Sequence, residues 1–137
     1  MKVVVDTNIL LSALIRDSST RKIIIESGWD FYYPEISFYE VRKYKSLVMK
    51  KSGMSDDDYS SLVAKMLTRI ILLPEEQIVI NMEEAKRIML HIDPDDVAFI
   101  AAALSVENSV IWSNDNHFEM QGEVGVIKTK AIIDFFE

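Results

Sequence analysis

Residues 1–10 read MKVVVDTNIL: Val3, Val4 and Val5 run into Asp6 without polar alternation, and apolar residues resume at Ile9 after Thr7 and Asn8. An unbroken β-branched run this short suits a strand covered on both faces, as in a parallel sheet. A lone carboxylate is costly to bury, so Asp6 is not expected to follow the valines into the core. In open α/β sheets, sites gather beyond the carboxyl ends of the strands, which is where Asp6 would emerge. The stretch therefore predicts a buried parallel strand over Lys2–Val5 and an acid directed into a crevice.

The rest of the chain alternates in the same way. NILLSALIRD and SSTRKIIIESG carry apolar residues at helical spacing, with Ser18 as a cap and Gly28 as a stop. DFYYP reads as a second strand closed by Pro34. From Glu35 to about Ser52, the stripe Ile36, Tyr39, Val41, Tyr44, Leu47 and Val48 predicts one amphipathic helix ending near Gly53. SDDDYSSLVAKMLTRI opens with Ser55 as cap and acids in its first turn, and IILLP is a third apolar run. NMEEAKRIMLHI repeats the cap signature with Asn81 and Glu84. DPDDVAFIAAALSVEN predicts an alanine-rich helix after Pro94, with Val97, Ile100, Ala101 and Leu104 on one face. SVIWS and VGVIK supply two more strand candidates, and TKAIIDFFE a closing helix capped by Thr129. Strands alternating with helices predict a three-layer α/β/α sandwich around a mostly parallel sheet.

Length and composition set bounds on this reading. The 137 residues are the size of one domain, and a hydrophobic content of 49% can supply its core. With no cysteine, disulfides and zinc-thiolate sites are excluded, which fits a reducing, cytoplasmic setting. The N-terminus does not read as a signal peptide, and no apolar run approaches the roughly 20 residues that span a bilayer. No membrane association is expected. The net charge of −7 opposes a chain whose whole surface attracts nucleic acid. Placement matters more than the sum: VRKYKSLVMKKS holds Arg42, Lys43, Lys45, Lys50 and Lys51 with no acid among them. That segment is either an ordinary solvated helix face or a local basic face within reach of phosphates, with Arg42, Lys43 and Lys45 as the candidate contacts.

Three further acids stand out by context. Glu40 sits in SFYEV among apolar and aromatic neighbours, Asp96 begins the alanine-rich helix beside Asp93 and Asp95, and Asp115 follows the fourth strand in WSNDNHF. Each has an ordinary explanation. Asp6 could cap a helix, Glu40 could be a surface acid near Arg42 and Lys43, Asp93, Asp95 and Asp96 could favour a helix start, and Asp115 could shape a turn. As a set they imply more. If the first and fourth strands are neighbours, Asp6 and Asp115 leave the sheet at the same edge, and the start of the Asp96 helix can reach it. Clustered carboxylates hold protons unless a cation joins them. An acid pocket with no nearby His or Cys ligands suits Mg²⁺ or Mn²⁺, and such an ion can activate water and stabilise charge on a phosphoryl oxygen. Phosphodiester hydrolysis is the natural candidate. His117 reads as an ordinary loop histidine, and Trp29 and Trp112 as core.

In VVVDTNIL, ISFYEV, DDVAFIAAAL and VIWSNDNHF, taken in that order, the sequence resembles the PIN-domain family of VapC-type toxins and related ribonucleases. The resemblance implies a compact α/β/α sandwich with an acidic pocket that binds Mg²⁺ or Mn²⁺ and cuts single-stranded or structured RNA. It carries Asp6, Glu40, Asp96 and Asp115 onto the family's four acids, with Asp6, Asp96 and Asp115 as metal ligands and Asp93 or Asp95 able to share the third acid's task. Asn8 and Ser113 match supporting positions that hold carboxylate rotamers by hydrogen bonding. A cognate antitoxin and a homodimer are the partners implied.

Two doubly wound rivals fit less well. A phospho-accepting receiver domain wants an acidic pair after its first strand and an acceptor Asp after its third, whereas here the first ends Asp-Thr-Asn, IILLPEEQ has no Asp, and only Lys128 speaks for it. A phosphatase with an Asp nucleophile fails at Asn8. The remaining alternative is a PIN-like module without turnover that binds RNA or a protein; the presence of all four acids weighs against it.

Overall fold

A computed structural model describes residues 1–136; Glu137, the end of the predicted closing helix, lies outside the described residues. Strands β1 (Lys2–Val5), β2 (Asp30–Pro34), β3 (Ile70–Leu73), β4 (Ser109–Trp112) and β5 (Val126–Ile127) form one sheet in the order β3-β2-β1-β4-β5, with every pairing parallel. β1 lies in the middle. Val4 faces Tyr32 on one side and Ile111 on the other, so Val3, Val4 and Val5 are fully buried, as their unbroken run demands.

Helices flank this sheet: α1 (Thr7–Ile15), α2 (Ser19–Glu26), α3 (Phe38–Lys43), α4 (Lys45–Ser52), α5 (Asp56–Leu67), α6 (Glu75–Ile80), α7 (Met82–Met89), α8 (Val97–Ser105) and α9 (Thr129–Phe136). Short 3-10 turns cover Glu35–Ser37, Pro94–Asp96 and Phe118–Met120. α8 packs against β1, β2 and β4 and is in turn covered by α6 and α7. It is buried almost all round, since its alanines let a helix approach a sheet closely; Leu104 is the partly exposed member of its predicted face. α1 packs against α2, α3, α4 and α5. The architecture is the predicted α/β sandwich, with a sheet that is wholly parallel. Among the described residues, no helix is long and apolar enough to cross a membrane.

Several boundaries differ from expectation. The single helix predicted over 35–52 is a 3-10 turn, then α3, a break at Tyr44, then α4. Of its stripe, Val41 and Val48 are buried and Ile36 is partly buried, whereas Tyr39, Tyr44 and Leu47 are exposed. An apolar stripe is defined against one straight axis, and the break at Tyr44 bends that axis. The segment after Pro74, which lacks a long apolar pattern, forms the short helix α6. Ser18 and Asn81 occupy cap positions without side-chain cap bonds, while Ser55 caps α5 through the Asp58 amide at 3.1 Å. Thr129 is the first residue of α9: its amide donates to Asn114 Oδ1 at 3.0 Å, and its hydroxyl accepts Trp112 Nε1–H at 2.8 Å. Gly28 and Gly53 follow α2 and α4 with φ of 75° and 73°, a left-handed conformation that costs glycine little.

Candidate functional site

Asp6 leaves the carboxyl end of β1 and caps α1, its Oδ1 accepting the Ile9 N–H at 2.8 Å. β4 runs alongside, with Trp112 level with Val5, and the Asp6 amide extends the ladder to the Trp112 carbonyl at 3.2 Å. The next residue, Ser113, is fully buried beneath the edge; its hydroxyl bonds the Asp6 carboxylate and accepts the Asp115 N–H at 2.9 Å. Two neighbouring strands thus deliver two acids to one edge, tied by one serine.

Glu40 arrives from α3. Thr7 donates its hydroxyl to Glu40 Oε2 and also lies 2.8 Å from the Tyr33 hydroxyl, which donates to the Ser37 carbonyl at 2.9 Å. Burial pushes the Tyr33 phenol up, so it stays protonated and serves as a fixed donor. Asp93 and Asp96 come from the 3-10 turn that starts α8. Asp93 Oδ1 accepts the Asp95 N–H at 3.0 Å, which turns its Oδ2 towards His117 Nδ1, also at 3.0 Å. His117 is brought back over the acids because its own amide donates to Asp115 Oδ1 at 2.9 Å, with the ring 3.6 Å from the same oxygen.

The result is an open cleft of about 350 Å³ lined by Asp6, Asn8, Glu40, Asp93, Asp95, Asp96 and Asp115, with Tyr39, Lys43 and Tyr44 on one wall. Asp93, Asp96, Asp115 and His117 each offer a ligand atom within 4.8 Å of the others. Asp6 stands outside this tightest grouping but couples by charge to Asp96, Asp115 and Glu40. Burial pushes the Asp6 carboxyl up to about 6; hydrogen bonds from Ser113 and Ile9 oppose the shift, and the charges of Asp115 and Glu40 add to it. Burial, followed by the charges of Asp93, Asp115 and Asp6, pushes Asp96 up to about 7. Asp96 Oδ2 is buried with no hydrogen-bond partner. An orphaned carboxylate oxygen among like charges is the electrostatic condition that a proton or a cation relieves. The carboxylate oxygens fit Mg²⁺ or Mn²⁺, whereas the His117 imidazole beside them departs from the all-oxygen pocket expected from the sequence.

The predicted residues do not all converge. Asp6, Asn8, Glu40, Asp93, Asp95, Asp96, Asp115 and Lys43 line the cleft, with Ser113 directly beneath it. Arg42 lies over the Phe38 ring at 5.4 Å, and Lys45 is paired with Asp56 at 2.7 Å and lies over Tyr59, so neither lines the cleft. Sequence reasoning set His117 aside and held Asp93 as an acid able to share the task of Asp96; both belong to the tightest grouping. The clue to His117 was its place two residues after Asp115, where an Asx-type turn folds the chain back. Thr7 and Tyr33, which hold Glu40, carried no sequence signal. Trp112 is core as expected, and Trp29 is partly buried against Phe31, Phe135 and Phe136.

No curated protein matches the chain in sequence. In structure it resembles one chain of the crystal structure of VapBC2 from Rickettsia felis bound to a DNA fragment from their promoter, with a TM-score of 0.69 and 17% identity over 93% of this chain and 98% of that one. At that identity the likeness is one of fold. A PIN-domain family profile matches residues 4–132, from inside β1 into α9, and on that match the chain belongs to the PIN-domain family.

Proposed function

We propose that the chain is a single-domain, divalent-metal-dependent endoribonuclease that hydrolyses RNA phosphodiesters in the acidic cleft. The observation that carries this reading is the convergence of Asp6, Glu40, Asp96 and Asp115 from separate elements on one cleft, with Asp96 Oδ2 unpaired. Asp96 and Asp115 would hold Mg²⁺ or Mn²⁺ with Asp6, and Asp93 and His117 are close enough to contribute. When bound, the ion offsets the acids and polarises a phosphoryl oxygen and a water. Glu40, held by Thr7, accepts a proton from the attacking water at its free carboxylate oxygen. Ser113 and the Ile9 amide keep the Asp6 carboxylate directed into the cleft, whose lining Asn8 shares. Lys43 meets the phosphate backbone on the wall.

The company of the R. felis chain, a VapBC2 assembly on promoter DNA, motivates a cognate antitoxin as the protein partner and a toxin role; a homodimer rests on the family resemblance alone, and a cytoplasmic setting on that and the absence of cysteine. The test is cleavage of RNA and DNA with Mn²⁺, Mg²⁺ or chelator, run beside Asp6→Asn and Asp115→Asn. A nuclease cuts RNA with the metals, stops with chelator and loses activity in both variants. No cleavage under any condition would leave a binding module in its place.

A further inference from the structure

We propose that Tyr39 and Tyr44, with Lys43 between them, form a stacking platform for an unpaired base of single-stranded RNA at the mouth of the cleft. The proposal rests on the RNA reading above and deepens it by naming the form of the substrate. It starts from the misfit between sequence pattern and structure at residues 35–52. The spacing places both tyrosines on a buried stripe, yet Tyr39 is 58% exposed and Tyr44 is 38% exposed, and both line the cleft beside Glu40. The break between α3 and α4 falls at Tyr44, whose φ of −97° and ψ of 9° leave the helical region with no glycine or proline to explain it. Its amide is held by the Glu40 and Val41 carbonyls at 3.3 and 3.2 Å, so the residue that breaks the helix is bonded to the turn that carries an acid of the site. Departures from local consistency are expected where function demands them.

The chemistry of that wall matches one kind of occupant. Among the described residues neither ring pairs with another aromatic ring, whereas Trp29, Tyr33 and Trp112 are all engaged with neighbouring rings. Lys43 lies over Tyr44, its Nζ 5.5 Å from the ring centroid, so a cation and an aromatic surface occupy adjacent places on the wall. Tyr39, Lys43 and Tyr44 line the same cleft as the acids, so a strand held over the acid floor runs past these rings. Only an unpaired base can offer its face: in a duplex the faces are stacked inside and the edges alone are exposed. Sequence-tolerant stacking of this kind contributes roughly 1–3 kcal/mol per base, about a 5- to 150-fold change in affinity.

The experiment uses the full chain carrying Asp6→Asn, with Mn²⁺ present, so that RNA is bound and not cut. Anisotropy of a labelled single-stranded RNA and of its duplex is measured for this parent and with Tyr39→Ala, Tyr44→Ala, Tyr39→Phe or Tyr44→Phe added. Each alanine change is expected to weaken single-strand binding about tenfold, with each phenylalanine change within about twofold of the parent and duplex binding unaltered. Alanine variants that match the parent, phenylalanine variants that lose as much as alanine, or equal losses on the duplex each overturn the proposal. Unchanged thermal midpoints, expected at exposed positions, tie any loss to the surface and not to the fold. A parent that binds no RNA overturns this proposal, and the nuclease reading falls with it only if the native chain also cuts no RNA. Tyrosine-dependent binding in a chain whose native form cuts no RNA overturns the nuclease reading alone.

Discussion

The two ends of the sheet are closed in opposite ways. At the amino end, Trp29 precedes β2 and its ring meets Phe31, Phe135 and Phe136 at centroid distances of 6.5, 5.8 and 5.0 Å, an aromatic cluster whose outer rings Phe135 and Phe136 stay exposed. At the carboxyl end, Asp6, Asp96 and Asp115 gather with their like charges uncompensated, and Asp96 Oδ2 has no partner. The strands between are uniform: Val3, Val4 and Val5 are as buried as Ile111 and Trp112. One end is packed with aromatic rings and the other gathers acids, so stability and activity should respond to opposite ends.

The largest effect is expected at the acid end. Asp115→Asn removes a charge from the closest grouping without changing its shape and should lower metal-dependent RNA cleavage by on the order of a thousandfold, while the thermal midpoint holds or rises. Activity that survives this change would place the chemistry elsewhere. Phe31→Ala attacks the other end: a fully buried ring between Trp29 and Trp112 is lost, costing roughly 3–5 kcal/mol in denaturant unfolding, with metal affinity unchanged under folding conditions.

A smaller effect has the opposite sign. The carboxyls of Asp6 and Asp96 are raised from the ordinary 3.8 to about 6 and about 7, so between pH 4 and 7 the folded chain binds protons that the unfolded chain releases. Their contribution to stability is therefore full below about pH 4 and lost as pH rises through the folded values. Without metal, Asp96→Asn should be more stable than the native chain at pH 7 by about 1–2 kcal/mol, allowing for solvent screening of a half-buried group, and the difference should vanish below about pH 4. Thermal melts across that range, with chelator present, check it; a variant less stable at pH 7 contradicts it. Tyr33→Phe should have the smallest effect, about 1 kcal/mol in stability from the bond to the Ser37 carbonyl. Its cleavage rate should fall only modestly as Glu40 loosens.

The same contrast explains what was legible in the sequence. β1, β2, β3 and β4 announced themselves as short apolar runs; burial on both faces is complete for the central β1, whereas the edge strand β3 leaves Ile71 exposed, and the parallel order then fixed where Asp6 and Asp115 emerge. The acids of the cleft were readable for the same reason: they end strands or open helices. His117 was not, because its place depends on an Asp115–amide bond and an Asp93–ring contact across 24 residues of chain. Thr7 and Tyr33 were hidden similarly, since their contacts span 26 and 33 positions and leave no local pattern. The break at Tyr44 defeated periodicity because an amphipathic stripe assumes a continuous axis.

Calorimetric titration of Mn²⁺ into the metal-free chain at neutral pH, beside Asp96→Asn and Asp115→Asn, tests the central claim most directly. Saturable uptake by the native chain, weakened at least tenfold in both variants, is the predicted result. No uptake by the native chain, or uptake that both variants retain, would contradict the assignment of the cleft as a metal centre.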